Sequence, residues 1–198
     1  DMSWAGSRLI ITSMVAPFGT AVVAAYGVGN QVTAFGIMLL VGIGLGLSAL
    51  IGHNLGAAKH DRARKTADQA LLLGAGVMII FGAITFVFAR DVIGLFFDAA
   101  GTVEVGRTML RIFALGYPFL GAFIMMEEIF MGAGWNTPPM VMNLITSWGL
   151  QAAPVLVLAN HFALGETSVW WTLTLANVIM ACAFYLYYRR GRWLTARV

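Results

Sequence analysis

Residues 28–52 read VGNQVTAFGIMLLVGIGLGLSALIG, and none of them carries a charge. A helix needs about 20 apolar residues to cross the hydrocarbon core of a bilayer, and this stretch supplies them. The silence extends to both sides, because residues 9–51 hold no Asp, Glu, Lys or Arg. The 198-residue chain follows suit, being 60% hydrophobic and 11% charged, with a mean hydropathy of +0.83. A soluble domain is about 45–50% apolar and about 25% charged, so the expected class is an all-α integral membrane protein. The 23 glycines suit close helix–helix approach in lipid. A net charge of +3 could suggest nucleic acid. In so apolar a chain it reads better as charge on membrane-flanking segments, with lipid as the partner and no nucleic acid. The one cysteine, Cys182, excludes an intrachain disulfide and a cysteine metal cluster.

Six spans are expected, at about 2–18, 28–52, 68–89, 108–131, 138–159 and 168–188. The break between the first two is placed over 19–27, GTAVVAAYG, with GNQ at 29–31 as the alternative. The stretch GHNLGAAKHDRARKTAD holds Lys59, Arg62, Arg64 and Lys65, and the tail RRGRWLTARV holds Arg189, Arg190, Arg192 and Arg197. The positive-inside rule makes both cytoplasmic. The loops at 91–104 and 160–167 are poorer in basic residues and are expected outside. Trp170, Trp171 and Trp193 flank the sixth span, where an aromatic belt is expected. The chain opens on Asp1 and enters apolar sequence at once, which reads as a fragment with sequence missing upstream.

Three motifs follow in order: VVAAYGVGNQV, then LIGHNLGAAKHDRARKTA, then GAGWNTPPM. With them the chain resembles the multidrug and toxic compound extrusion (MATE) family, over nearly all of residues 1–198 and against the second half of that family's twelve spans. His53 departs from the pattern, where the family usually has Gln. The resemblance implies a six-helix lobe, one half of a pseudo-symmetric twelve-helix transporter, with an N-terminal lobe as partner and a cavity between the two. It implies secondary antiport of organic, often cationic, compounds against sodium ions or protons, in the cytoplasmic (inner or plasma) membrane. The rivals are a lipid-linked oligosaccharide flippase, which would need a more basic cavity, and a non-transporting membrane scaffold.

The stretch GAFIMMEEIFMGAG, 121–134, then carries the site. A charge at mid-membrane costs about 2.5–3.5 kcal/mol and usually faces a bundle interior or a wet cavity. Adjacent helical residues point about 100° apart, so Glu127 and Glu128 cannot share a face. Glu127 falls with Phe123, Phe130 and Met131, a large soft surface suited to an apolar cation, and is expected to border the substrate cavity. Glu128 falls with Gly121, Ile124 and Gly132, a small-residue seam. It is expected to hold the coupling proton, or a sodium ion, from inside the lobe. Asn30 and Gln31 are candidate cavity residues at the start of the second span. Tyr117 precedes Pro118, which invites a kink, and Pro154 invites another in the fifth span. Asn143, Gln151 and Asn177 are expected to bond between helices, and Gly42 and Gly46 to let two helices approach. Many family members carry acids in the spans matching the first and fourth here. This chain has Arg8 in the first, read as a membrane-edge charge or a counter-charge. Its fourth-span acids lie beyond the usual position, which Leu120 or Gly121 would occupy. The family's ion ligands are therefore not carried over. No nucleophile–base pair, metal-ligand spacing or phosphate loop appears, so no enzyme activity and no cofactor beyond the coupling ion is expected.

Overall fold

A computed structural model describes residues 2–155 and 165–195, with side chains from residue 9 onward. Helix α1, Met2–Val15, runs into a 3-10 turn, Ala16–Phe18, and α2 is Thr20–Gly56. Then come α3, His60–Val87, the short α4, Ala89–Gly94, and α5, Ala100–Gly132. Helix α6, Thr137–Leu144, widens into a π-helical stretch, Ile145–Ala152. Helix α7, Gly165–Arg189, is followed by a 3-10 turn, Arg192–Thr195. The described residues contain no strand. Of these helices α2, α3, α5 and α7 are long and apolar enough to cross a membrane.

Several boundaries differ from the sequence reading. The break between the first two spans is confined to Gly19, whose φ of 111° interrupts the helix, and α2 begins at once with Thr20. Residues 20–27 contain no helix stop, so hydropathy alone could not end the break, and 29–31 also lies within α2. Its 37 residues extend about 55 Å, well beyond a hydrocarbon core of about 30 Å. The basic segment is mostly helix: α3 starts at His60 and carries Arg62, Arg64 and Lys65, leaving a short turn with Ala58 at φ 56°. The segment 91–104 likewise contains the end of α4 and the first turn of α5. The end of the fifth span falls at 156–164 and Arg197 at 196–198, outside the described residues, as does the side chain of Arg8.

Helix α5 is the hub. Its apolar window is 67% buried, against 28% for α2, 33% for α3 and 44% for α7. Small residues bring its neighbours close. A Cβ on Gly121 would stand 2.6 Å from the Gly74 carbonyl of α3. One on Gly116 would stand 2.9 Å from Thr174 Cγ2 of α7. Against α2 the seam is Gly44, Ser48 and Gly52, facing Glu128 and Gly132. The expected pair Gly42 and Gly46 faces away, with nothing within 4 Å of either position. The row that packs includes a serine, so counting glycines alone selected the wrong face of α2.

Pro118 sits inside α5 and has no N–H to give the carbonyl of Ala114. That carbonyl lies against α3 at Gly82, where a Cβ would be 2.9 Å away. The π-helical stretch ends just before Pro154, which likewise withholds a donor, and wide turns and prolines are the usual sources of helix bending. At the end bearing the basic residues, the Tyr188 hydroxyl of α7 donates to Asp68 Oδ1 of α3 at 2.8 Å. Trp193 stacks on Tyr188 with centroids 5.6 Å apart. Trp193 and Trp170 are buried, and Trp170 stacks on Tyr26. Both are core residues and not belt residues, because each finds an aromatic partner inside the bundle. Trp171 remains 42% exposed. At the other end Arg111 donates to the Phe86 carbonyl at 3.3 Å, a cation at the C-terminus of α3. Met38, Leu72, Ile80 and Leu186 stand exposed on the outside, the surface that a bilayer would cover.

Candidate functional site: a cavity beside α5

A cavity of about 890 Å³ opens between α2, α5, the α6 segment and α7. Helix geometry explains its walls. On α2 the lining residues Tyr26, Asn30, Thr33 and Ile37 recur every three or four positions, which is one face of a helix. On α5 the same spacing gives Phe113, Tyr117, Leu120, Ile124, Glu127 and Met131. Apolar and aromatic side chains make up most of the wall, with amides and hydroxyls from Asn30, Thr33, Asn143, Gln151, Thr174 and Asn177 set among them, a make-up suited to a small-molecule pocket. Glu127 is the one charged residue among the described lining residues.

Of the residues singled out from sequence, Asn30, Tyr117, Phe123, Glu127 and Met131 line this cavity, and Gln31 and Glu128 do not. Gln31 is exposed on another face of α2, about 100° from Asn30. Phe130, grouped with Glu127 in the sequence reading, is packed in the core against Phe184 at 5.1 Å. Glu127 Oε1 accepts a hydrogen bond from Asn143 Nδ2 of α6. Thr33 Oγ1 donates to the Gly29 carbonyl at 2.9 Å, so its 3.1 Å contact with the Tyr117 hydroxyl has the tyrosine donating. That bond fixes the phenol across the α2–α5 wall, one residue before Pro118.

Glu128 turns the other way. Its Cγ would be 2.6 Å from a Cβ on Gly44, and its Oε2 is buried with no hydrogen-bond partner. No group of three or more His, Cys, Asp or Glu side chains occurs among the described residues. A sodium ion near Glu128 would therefore need neutral oxygens beside the carboxylate. The expected interhelical bonds are present for Gln151, whose Nε2 donates to Asn177 Oδ1 at 3.0 Å, and for Asn143. Thr33, Asn136, Ser147 and Thr174 are lining residues that sequence reasoning passed over. Thr33 had a usable signal, the 26–30–33–37 stripe. The others are short polar side chains with no such pattern.

The comparisons with known proteins agree with this architecture. The family model MatE matches residues 3–157. The chain is 27% identical to the probable multidrug resistance protein YpnP of Bacillus subtilis, over 95% of this chain and 42% of that protein. It is 28% identical to the probable multidrug resistance protein NorM of Deinococcus radiodurans, over 94% of this chain and 44% of that one. A MOP superfamily transporter from Pyrococcus furiosus has the same fold, with a TM-score of 0.90 at 17% identity, over 99% of this chain and 44% of that chain. The chain thus spans less than half the length of each of these relatives. It is an integral membrane protein with the fold of one lobe of such a transporter, and it belongs to the MatE family.

Proposed function

We propose that the chain is the C-terminal lobe of a secondary antiporter that exports organic, often cationic, compounds in exchange for sodium ions or protons. An N-terminal lobe of similar build would close the cavity from the other side. The observation that carries this reading is Glu127. It is the one charge among the described lining residues of a cavity whose aromatic and apolar walls also carry neutral amides and hydroxyls, an arrangement that attracts a lipophilic cation. An oligosaccharide-lipid flippase would need basic residues for a pyrophosphate, and none is found among the described lining residues. The names of the Bacillus and Deinococcus relatives point toward drug export as well.

In this reading Asn143 holds the Glu127 carboxylate toward the cavity, while Phe123, Tyr117 and Met131 offer adaptable apolar contact. A carboxyl group in a low-dielectric wall can exchange a proton for a cation, which is the elementary act of antiport. The Tyr188–Asp68 bond brings the basic ends of α3 and α7 to one side of the lobe. That clustering supports a cytoplasmic location for both under the positive-inside rule, in an inner or plasma membrane. The test is efflux from proteoliposomes holding the protein with its partner lobe, with proton and sodium gradients imposed separately. Efflux of tetraphenylphosphonium under one gradient is expected and names the coupling ion. No efflux under either, from folded protein, would overturn the reading.

A further inference from the structure

The basic end of the lobe is built as a corner. Helix α7 meets α3 there through the Tyr188 hydroxyl, which donates to Asp68 Oδ1 at 2.8 Å. On α3, Arg64 stands one turn before Asp68 and Leu72 one turn after it, so all three share that face, with Lys65 beside them. On α7, Arg189 follows Tyr188 directly and Tyr185 stands one turn earlier. Tyr185 stacks on Tyr188 with centroids 6.1 Å apart. Arg64 and Arg189 both lie within electrostatic reach of the bonded pair.

The charges at this corner are unbalanced. Arg64, Lys65 and Arg189 are exposed, and Arg62, Arg190 and Arg192, exposed as well, extend the patch. Against them stand Asp61 and Asp68, and Asp68 already accepts from Tyr188. The ion pair found among the described residues, Arg107–Glu104 at 2.9 Å, belongs to the other end of the lobe. Arg189 reaches the Tyr185 hydroxyl at 3.4 Å, which leaves most of its five N–H donors unspent. Toward the membrane the same surface turns apolar: Leu72 is 76% exposed and Tyr185 42%. Cations at the rim with an exposed apolar strip beneath them match a phosphate head and its acyl chain. A soluble anion has no use for the strip. The main cavity takes no described lining residue from α3, and from α7 none beyond Asn177, which lies about 16 Å from Tyr188 along the helix axis. A partner lobe that closes the cavity therefore need not cover this corner.

We propose that this corner binds an anionic phospholipid of the adjoining leaflet, its phosphate held by Arg64, Lys65 and Arg189 and one acyl chain lying along Leu72 and Tyr185. A phosphodiester with no ammonium of its own is the fitting head, because a zwitterionic lipid brings a further cation to a surface already rich in them. Bound there, the lipid bridges α3 and α7 and reinforces the hydrogen bond between them. The inference concerns the outer surface of the lobe and stands independently of the cargo. The test is native mass spectrometry of the protein with its partner lobe, titrated with phosphatidylglycerol or phosphatidylethanolamine. Phosphatidylglycerol is expected to bind about tenfold more tightly. Each of Arg64→Gln, Lys65→Gln and Arg189→Gln is expected to weaken it about fivefold, the worth of one cation beside an anionic lipid surface. Arg64→Lys keeps the charge and is expected to hold most of the affinity. Arg90→Gln, an exposed position at the opposite end, is expected to change nothing. Inorganic phosphate is expected not to displace the lipid, since it has no chain. The proposal is overturned if phosphatidylethanolamine binds equally well, if the three glutamine variants keep the affinity of the unaltered protein, or if Arg90→Gln loses as much as they do. Displacement by inorganic phosphate would also overturn it and assign a soluble-anion site instead. Absent efflux, with phosphatidylglycerol binding still sensitive to Arg64, would sink the transport reading and keep the lipid site.

Discussion

Glu127 and Glu128 are neighbours on one helix and live in different surroundings. Glu127 faces an open cavity and has a donor, Asn143, from another helix. Glu128 faces the α2 seam at Gly44, and one of its oxygens is buried with no partner. The residue type is the same, and the helical step of about 100° decides what each can do. One is positioned to meet a ligand. The other is wedged where two backbones approach, and its buried oxygen costs stability, of order 1–3 kcal/mol. A carboxylate in a membrane helix is therefore not read from depth alone, because the face matters as much.

The largest break in this comparison comes from the seam. In Gly132→Leu the new side chain would meet the Ser48 backbone, with its Cα 2.9 Å from the Cβ. Backbone cannot yield as a flexible side chain can, so the loss should reach or exceed the usual overpacking cost of about 1–3 kcal/mol. Size-exclusion chromatography in detergent should show little monodisperse protein, and a native elution profile and melting curve would mean that the seam is looser than described. Next is Glu127→Gln, which should weaken organic-cation binding about 10- to 100-fold, or roughly 1.4–2.8 kcal/mol, with the melting temperature little changed. If Glu128→Gln produced that loss instead, the assignment of the two faces would be inverted. Glu128→Met should sharpen the contrast. An apolar side chain of similar length removes the unpaired oxygen, so stability should rise by about 1 kcal/mol, with tetraphenylphosphonium binding retained. Lower stability would point to an interaction of Glu128 that the seam geometry lacks. The smallest effect belongs to α2. Gly42→Ala meets nothing within 4 Å and should be stabilising by about 0.5–1 kcal/mol. Gly44→Ala meets Glu128 and should be destabilising, and equal melting curves would remove the distinction between the two faces.

Much of the architecture is legible in hydropathy, because long charge-free runs have few alternatives to membrane helices. The positions of α2, α3, α5 and α7 follow from that. Where the reading went astray, the signal was local geometry. A single Gly19 at positive φ breaks the chain, and nothing in TAVVAAYG marks how soon the helix resumes. Charges at 62–65 mark a membrane edge, yet they do not stop a helix, so hydropathy starts the third span at 68 while α3 starts at His60. At the site, Glu127, Phe123 and Tyr117 stand out because a charge, a ring and a kink each have a physical reason to be noticed. Choosing Asn30 over Gln31 needed the stripe through Tyr26, Thr33 and Ile37. The bond between Asn143 and Glu127 joins two helices across a turn, and no spacing in the sequence states which polar group on α6 finds which acid on α5.

The close approach of Gly82 to the carbonyl to which Pro118 gives no N–H should make these two positions an epistatic pair. Replacing Pro118 with alanine returns an N–H to that carbonyl and draws it back along the axis of α5. The space that now forbids a side chain at 82 is thereby relaxed. The penalty of Gly82→Ala should then depend on the residue at 118, large beside proline and small beside alanine. A lineage that lost the proline first could drift at the glycine, and one that lost the glycine first could not.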